Sequence, residues 1–475
     1  MLAGTGTAGA YHAGVLRALA DAGVRIDLVA GRGMGAVGAL FAAVDAGSRL
    51  WEPSGIWTGP SHPQLYPWRR VWRVAGWCLA AAIATLSLPL LALALIGLLW
   101  IPAFVIELVA PPVAGAMTTR LAELALWVAR GETATAFVSR AGAVSILALA
   151  VTILFAWLSD WRRAGRRPRG AAWWRALGAP LDAAPVVRWA MDGFWSFIHG
   201  ATPLPRPDPA DLGRRYAELL GENLTQPGYR ELIIAAHDLE TRRDLVFALL
   251  REEARARFFG SGPSDQRSAE VVDLSGPGGV HVMDAVAAAL SVPLLTEPHQ
   301  VRFETGSFWR GETHRVCDRP GAIVRLLEEV SAAGAEQVIV VTSDVAVDRP
   351  HGLTARAVEP RARLAEYLAG VEASAARDAL TALFDRFSAV YQIQPAHNAV
   401  GLFDDAGSYD ERSDRRQTLQ ELLDLGAEDA HRQFIDPVVG ASGDELEQQE
   451  TRRPVPPTPP PPSTPSISEL LARLD

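Results

Sequence analysis

Ile26-Asp27-Leu28-Val29-Ala30-Gly31-Arg32-Gly33-Met34-Gly35 leads straight into Ala36-Val37-Gly38-Ala39-Leu40-Phe41-Ala42-Ala43-Val44. The apolar run at the start reads as a strand and the last nine residues read as a helix. A strand, a tight glycine-rich turn and a helix make the geometry of a nucleophile elbow, G-x-S-x-G, with the nucleophile at the third position. Gly31 and Gly35 supply the small residues that such a strained turn requires. The third position is Gly33, which has no side chain, so the site is laid out without its reacting atom. An ordinary βα turn can carry the same glycines. The stretch ahead of the elbow weighs against that reading.

That stretch runs Met1-Leu2-Ala3-Gly4-Thr5-Gly6-Thr7-Ala8-Gly9-Ala10-Tyr11-His12-Ala13-Gly14-Val15-Leu16. Gly4, Gly6 and Gly9 spell G-x-G-x-x-G and enter a helix. A dinucleotide loop has this pattern, with an acid such as Asp27 further on. That motif needs a preceding strand, almost nothing precedes Gly4, and a dinucleotide fold does not require a second glycine elbow. A glycine loop, then His12-Ala13-Gly14-Val15-Leu16 on a helix, then a strand and an elbow, resembles the patatin-like phospholipases. The resemblance implies that backbone N–H groups of the loop form an oxyanion hole and that an elbow serine attacks a lipid ester. It also implies an aspartate base in a later D-G-G/A motif. On this correspondence Gly4, Thr5, Gly6 and Gly9 fall on the oxyanion loop, with Thr5 in place of the family's middle glycine and Ala8 in place of its usual basic residue. Gly33 falls on the serine. Donors aimed at a developing oxyanion need no side chains, so the loop keeps the capacity to bind an ester carbonyl or a carboxylate. His12 reads as a structural residue of the loop–helix junction. Family members carry a strand before the loop, and the three residues here suggest a true start upstream of Met1.

The chain has 475 residues and a net charge of −9, and its lack of a basic excess argues against nucleic acid as a partner. Cys78 and Cys317 are the only cysteines, and Cys78 sits in an apolar run, so no disulfide framework is expected. No signal peptide is visible. No cofactor and no metal is expected.

Tryptophans concentrate between Trp51 and Trp195. Trp68-Arg69-Arg70-Val71-Trp72-Arg73 precedes an apolar run over 78–110, and a second run covers 141–158 before Asp160-Trp161-Arg162-Arg163 and the basic stretch to Arg169. Between them, 118–130 reads as a short amphipathic helix. The first run exceeds the ~20 residues of a membrane span. Basic clusters at both outer ends imply an even number of crossings, hence a transmembrane helical hairpin with cytoplasmic flanks. The plain alternative is a hairpin buried in a soluble core. The basic patches would hold anionic lipid headgroups. The aromatic stretch 173–199 is expected along the membrane surface, and 203–209 is a proline-rich joint.

Beyond the joint, 211–220 reads as a helix, 231–241 as a buried strand entering a turn and 245–250 as its partner strand. A helix over 283–290 ends at Ser291-Val292-Pro293. A hairpin of 301–303 and 307–309 should lead to the D-G-G motif, where the chain has Arg310-Gly311-Glu312. The resemblance then puts the base at Arg310. A second register, Glu304-Thr305-Gly306, puts it at Glu304. Asp318-Arg319-Pro320 would correspond to the asparagine–proline element that follows. A helix over 321–333 and a parallel-type strand over 337–343 complete an α/β core. Long helices are expected over 361–391 and 419–434, with a solvated charged loop over 404–416. A polyproline linker over 454–465 and an amphipathic tail offer a route to a protein partner.

The expected architecture is a patatin-like three-layer α/β fold with a central, mostly parallel sheet. An inserted transmembrane hairpin interrupts it, and a helical C-terminal region follows. The segments are 1–60 (loop and elbow), 61–199 (membrane insert), 200–345 (rest of the α/β domain), 346–442 (helical region) and 443–475 (disordered tail). The expected function is a membrane-embedded, catalytically impaired member of that family that binds acyl lipid. It would sit in a bacterial inner membrane with its α/β domain cytoplasmic. Two alternatives stand beside it. One is an active hydrolase using Thr5, Thr7 or Ser48, or water with Glu304 as base. The other is a membrane scaffold recruiting partners.

Overall fold

The computed structural model describes residues 1–59, 64–130, 134–161, 178–200, 204–260, 269–307, 309–343, 345, 360–396, 408–410 and 415–439. The basic stretch 162–169, the polyproline linker and the tail lie outside the described residues.

A nine-stranded sheet forms the centre. Its strands are β1 (Leu2–Gly4), β2 (Leu28–Gly33), β3 (Glu231–Asp238), β4 (Arg243–Leu249), β5 (Ala269–Asp273), β6 (His299–Arg302), β7 (Thr313–Cys317), β8 (Gln337–Val341) and β9 (Ala389–Ile393). The order is β5-β4-β3-β2-β1-β8-β9, with β7 bonded to the end of β3 and β6 to β7. Along the main path only β3 and β4 are antiparallel, the hairpin expected from the turn at 239–242.

Side chains on β3 alternate between two cores. Leu232, Ile234 and Ala236 face helices α1 (Ala8–Asp21) and α2 (Gly35–Ala43), while Ile233 and Ala235 face the opposite helical layer. That alternation is what a sheet covered on both faces requires. The fold is therefore mixed α/β with a central, mostly parallel sheet.

The insert is three helices, with the expected segment 118–130 inside the second: α3 (Arg70–Glu107), α4 (Pro111–Arg130) and α5 (Ala134–Trp161). Leu121 and Val128 of α4 pack on Ile96 and Ala103 of α3. The outer surface carries exposed Leu90, Leu91, Leu98, Phe104, Val144 and Phe155. Among the described residues one helix, over 70–106, is long and apolar enough to cross a membrane, and α5 contributes a shorter apolar stretch, Arg140–Phe155.

Three expectations need correction. The described part of the aromatic stretch, helix α6 (Ala184–His199), packs into the body of the α/β fold. Phe194 lies edge-on to Phe41 of α2 at 5.8 Å, and Trp195, Met191 and Val186 are buried. Those aromatics are core residues, and the insert proper ends before α6. Helices α7 (Pro209–Asn223), α8 (Glu252–Gly260), α9 (Val282–Ala289) and α10 (Ile323–Ala333) follow. The long helix expected over 361–391 ends earlier, as α11 (Pro360–Leu383), and the chain then forms β9 at the sheet edge. The region after 346 is thus not simply helical, since it completes the sheet. Helix α12 (Leu419–Ala430) crosses α1 so closely that a Cβ at Gly14 would overlap the Leu423 carbonyl, and one at Gly426 the Tyr11 carbonyl.

Candidate active site

Parallel β1 and β2 end side by side at Gly4 and Gly33, which puts the glycine loop and the elbow at one point of the sheet. Gly33 has φ = +55°, the left-handed conformation that glycine adopts without strain. A Cβ at Gly31 would overlap the Gly35 carbonyl, and one at Gly35 the Leu2 carbonyl. The elbow spacing is set by backbone contact, as the sequence pattern implies.

The slot for a nucleophile is filled. A Cβ at Gly33 would overlap the Gly4 carbonyl oxygen and lie 3.0 Å from Thr5 Cγ2. The Gly4 oxygen is fixed there because the Met34 amide donates to it at 2.8 Å. In the loop, the amides of Ala8, Gly9 and Ala10 turn back onto the carbonyls of Thr5, Gly6 and Thr7 at 3.2, 3.3 and 3.0 Å. Gly9 leaves room for Trp57 and Met34, with which a Cβ would collide. Thr5 is the partly exposed hydroxyl of the loop and Thr7 is buried. Ser48 lies in the turn beyond the far end of α2, about 14 Å of helix from the elbow.

The expected base does not reach this point. Of the strand expected at 307–309, Ser307 and Trp309 lie in a turn, and the second strand of the hairpin is β7, which starts at Thr313. Arg310 is exposed in that turn with φ = +47°, and Glu304 is exposed across it, where its carbonyl accepts the Gly311 amide at 3.0 Å. The aromatics that suggested a strand serve a different purpose. Phe303 and Trp309 enclose the His314 ring at centroid distances of 5.1 and 4.6 Å. His314 Nδ1 in turn pairs with buried Asp238 at 2.6 Å.

The residue that follows the second strand is Asp318. Its amide donates to the Ser291 carbonyl at 2.8 Å, and its carboxylate meets Arg32, the residue before Gly33. Arg32 Nε and Nη2 donate to Asp318 Oδ1 and Oδ2 at 3.1 and 2.5 Å, a fork-on-carboxylate pairing. Arg32 Nη1 also pairs with Glu372, which comes from α11 and accepts the Gly321 amide at 2.6 Å. All three side chains are buried, Arg32 to 2 % exposure. Burial alone would depress the guanidinium, but the two carboxylates outweigh it and hold it charged above its ordinary value. The sequence reading missed this triad. Its one available signal was a charged residue inside an otherwise apolar elbow.

His12 is fully buried beside Gly4, with its ring against the Ala3 backbone. Burial pushes its pKa down to about 3, so the ring is a neutral wall of the loop and not a base. Cys317, next to Asp318, is pushed up to about 12 by burial and is an inert thiol. Among the described residues no cluster of three His, Cys, Asp or Glu side chains suits a metal ion.

A glycine-rich loop beside a tight strand–turn–helix elbow, on a mostly parallel sheet, defines an elbow-type α/β fold. A family model for patatin-like phospholipases matches residues 1–318, about two thirds of the chain, and the chain belongs to that family. No curated protein sequence matches it.

Proposed function

We propose that this chain is a membrane-embedded patatin-like protein whose hydrolytic centre has been dismantled, and that it binds acyl lipid instead of cleaving it. The observation that carries the reading is the Gly4 carbonyl standing where the Cβ of a nucleophile at position 33 would be. Glycine forms no acyl-enzyme. Adding a hydroxyl there requires the loop to move as well, so the loss is built into the backbone. On the other side of the site, the carboxylate nearest the elbow is committed to Arg32. Family membership supplies the ligand class, a lipid acyl ester, and the loop supplies backbone donors for its carbonyl. The exposed leucines of α3 and α5 support residence in a bilayer. Arg69, Arg70 and Arg73 at the foot of α3 support a cytoplasmic α/β body under a bacterial inner membrane. The proline-rich tail is a secondary route to a protein partner.

The test is ester hydrolysis by the purified protein in detergent, on short-chain chromogenic esters and on phospholipid. Mass spectrometry of the lipid that copurifies with it is run alongside. We expect no turnover by the wild type and none by Gly33→Ser. We expect bound acyl lipid in the extract. Wild-type turnover that survives Gly33→Leu would overturn the reading and send the search for a nucleophile to Thr5.

A further inference from the structure

The loop over 291–297 is stitched to the foot of the insert. Arg69 N donates to Pro180 O at 2.9 Å and Asp182 N to Pro67 O at 3.0 Å, which ties the outgoing and returning chains together. Leu181 N then donates to Leu295 O at 2.8 Å, and both Arg69 Nη1 and the Ala179 amide reach Glu297 Oε1 at 2.9 Å. The tip of this loop is Leu294. It has φ = +67° and is 81 % exposed. A leucine in the left-handed region strains the backbone, because its Cβ crowds the following carbonyl. Here it also leaves a large apolar side chain in water.

A second feature lies beside it. The first turn of α3 holds no acidic residue and no side-chain cap, and Arg69, Arg70 and Arg73 gather at its positive end. Cations at a helix N-terminus are disfavoured unless an anion joins them. Arg69 has Glu297, while Arg70 and Arg73 are exposed. Trp68 and Trp77, residue types that favour a bilayer interface, are exposed on the same stretch.

We propose that the foot of α3 and the loop tip at Leu294 form one contact ledge for an anionic phospholipid surface. Leu294 enters the interface, and Arg70 and Arg73 take the headgroup phosphates. This rests on the membrane reading of the insert. Because Ser291 O, at the start of the same loop, holds the Asp318 amide, the ledge also sets the height of the elbow above the lipid.

The experiment reconstitutes the full chain into vesicles whose acyl chains are brominated near the headgroup, with and without anionic lipid. A fluorophore on native Cys78 reports on α3, since Cys317 is buried. A fluorophore on Leu294→Cys in a Cys78→Ser background reports on the ledge. We expect both to be quenched. We expect quenching at 294 to fall without anionic lipid. With Arg70→Gln and Arg73→Gln together, its in–out equilibrium should shift by up to about 30-fold, the scale for two basic residues near a charged surface. Quenching at 78 but not at 294 would remove the ledge and leave the membrane reading intact. Quenching at neither would remove both. Equal quenching at 294 in uncharged lipid would overturn the headgroup role.

Discussion

From Val29 to Val44 every residue of the elbow is buried, whereas α3 turns Leu90, Leu91, Leu98 and Phe104 outward. The elbow has the strand–turn–helix geometry of a nucleophile elbow, with glycine at its third position. The insert keeps its apolar character along about 57 Å of helix, with Ile96 and Ala103 packed on α4. The difference shows what each region is constrained by. Close backbone contact in the middle of the sheet fixes the elbow, because β1, β2 and both helices meet there. The insert is held by contacts among its own helices and turns an apolar surface outward.

The largest expected effect lies at the buried triad. Arg32→Ala strands the carboxylates of Asp318 and Glu372 without their cation, which should cost about 3–5 kcal/mol. Leu91→Ala on the exposed face of α3 should stay within about 0.5 kcal/mol in detergent. Chemical denaturation of both variants checks the contrast. Similar losses for the two would mean that Arg32 is not the keystone described above. Glu372 comes from beyond residue 318, so a clearly larger loss at Arg32 would also show that the family domain relies on the helix that carries it.

Next is the crossing of α1 and α12. Gly14→Ala drives a Cβ into the Leu423 carbonyl and should destabilise by about 1–3 kcal/mol, the usual cost of overpacking. Gly221→Ala on α7, where a Cβ meets only open space, should be neutral or stabilising by up to about 1 kcal/mol. Melting temperatures that move the same way at both sites would contradict the close approach.

Near neutral pH His12 gives a smaller effect, about 1.4 kcal/mol by pH 5.5. Burial holds its folded pKa at about 3, against an ordinary value of 6.5. Between those values the unfolded chain binds a proton that the folded chain refuses. Stability is therefore intact above pH 6.5 and falls as pH drops toward 3, by at most about 1.4 kcal/mol per unit. His12→Phe should flatten that slope in a pH series of denaturation curves. An unchanged slope would mean that the ring already finds a proton partner in the fold.

The elbow and the loop were readable because their constraint is local: glycines at fixed spacing between apolar runs. The three-layer core was readable from the alternation of strands and helices. The hairpin was misplaced because Phe303 and Trp309 look like strand residues, but they are large and apolar in order to enclose His314 across a turn. Helix α6 was misplaced for a related reason, since aromatic density does not distinguish a membrane surface from a core. Strand β9 is five residues after a long helix, and only pairing with β8 makes it a strand. The pairing of Arg32 with Asp318 and Glu372 joins positions hundreds of residues apart, and no local pattern announces it.

The smallest expected effect tests the seam between the two regions. Arg69 and Glu297 are partly exposed, and such pairs are worth less than about 1 kcal/mol. Glu297 Oε1 also accepts the Ala179 amide at 2.9 Å, so the residue does two separate things. Glu297→Gln removes the charge and keeps an acceptor for the amide. Glu297→Ala removes both. If the seam is held mainly by backbone satisfaction, Glu297→Gln should melt close to the wild type and Glu297→Ala slightly below it, with more proteolytic nicking near 179. If the ion pair dominates, the two variants should fall together and the wild type should approach them at high salt. The first outcome would make the insert an appendage joined by its backbone. The second would make its attachment sensitive to ionic conditions at the membrane.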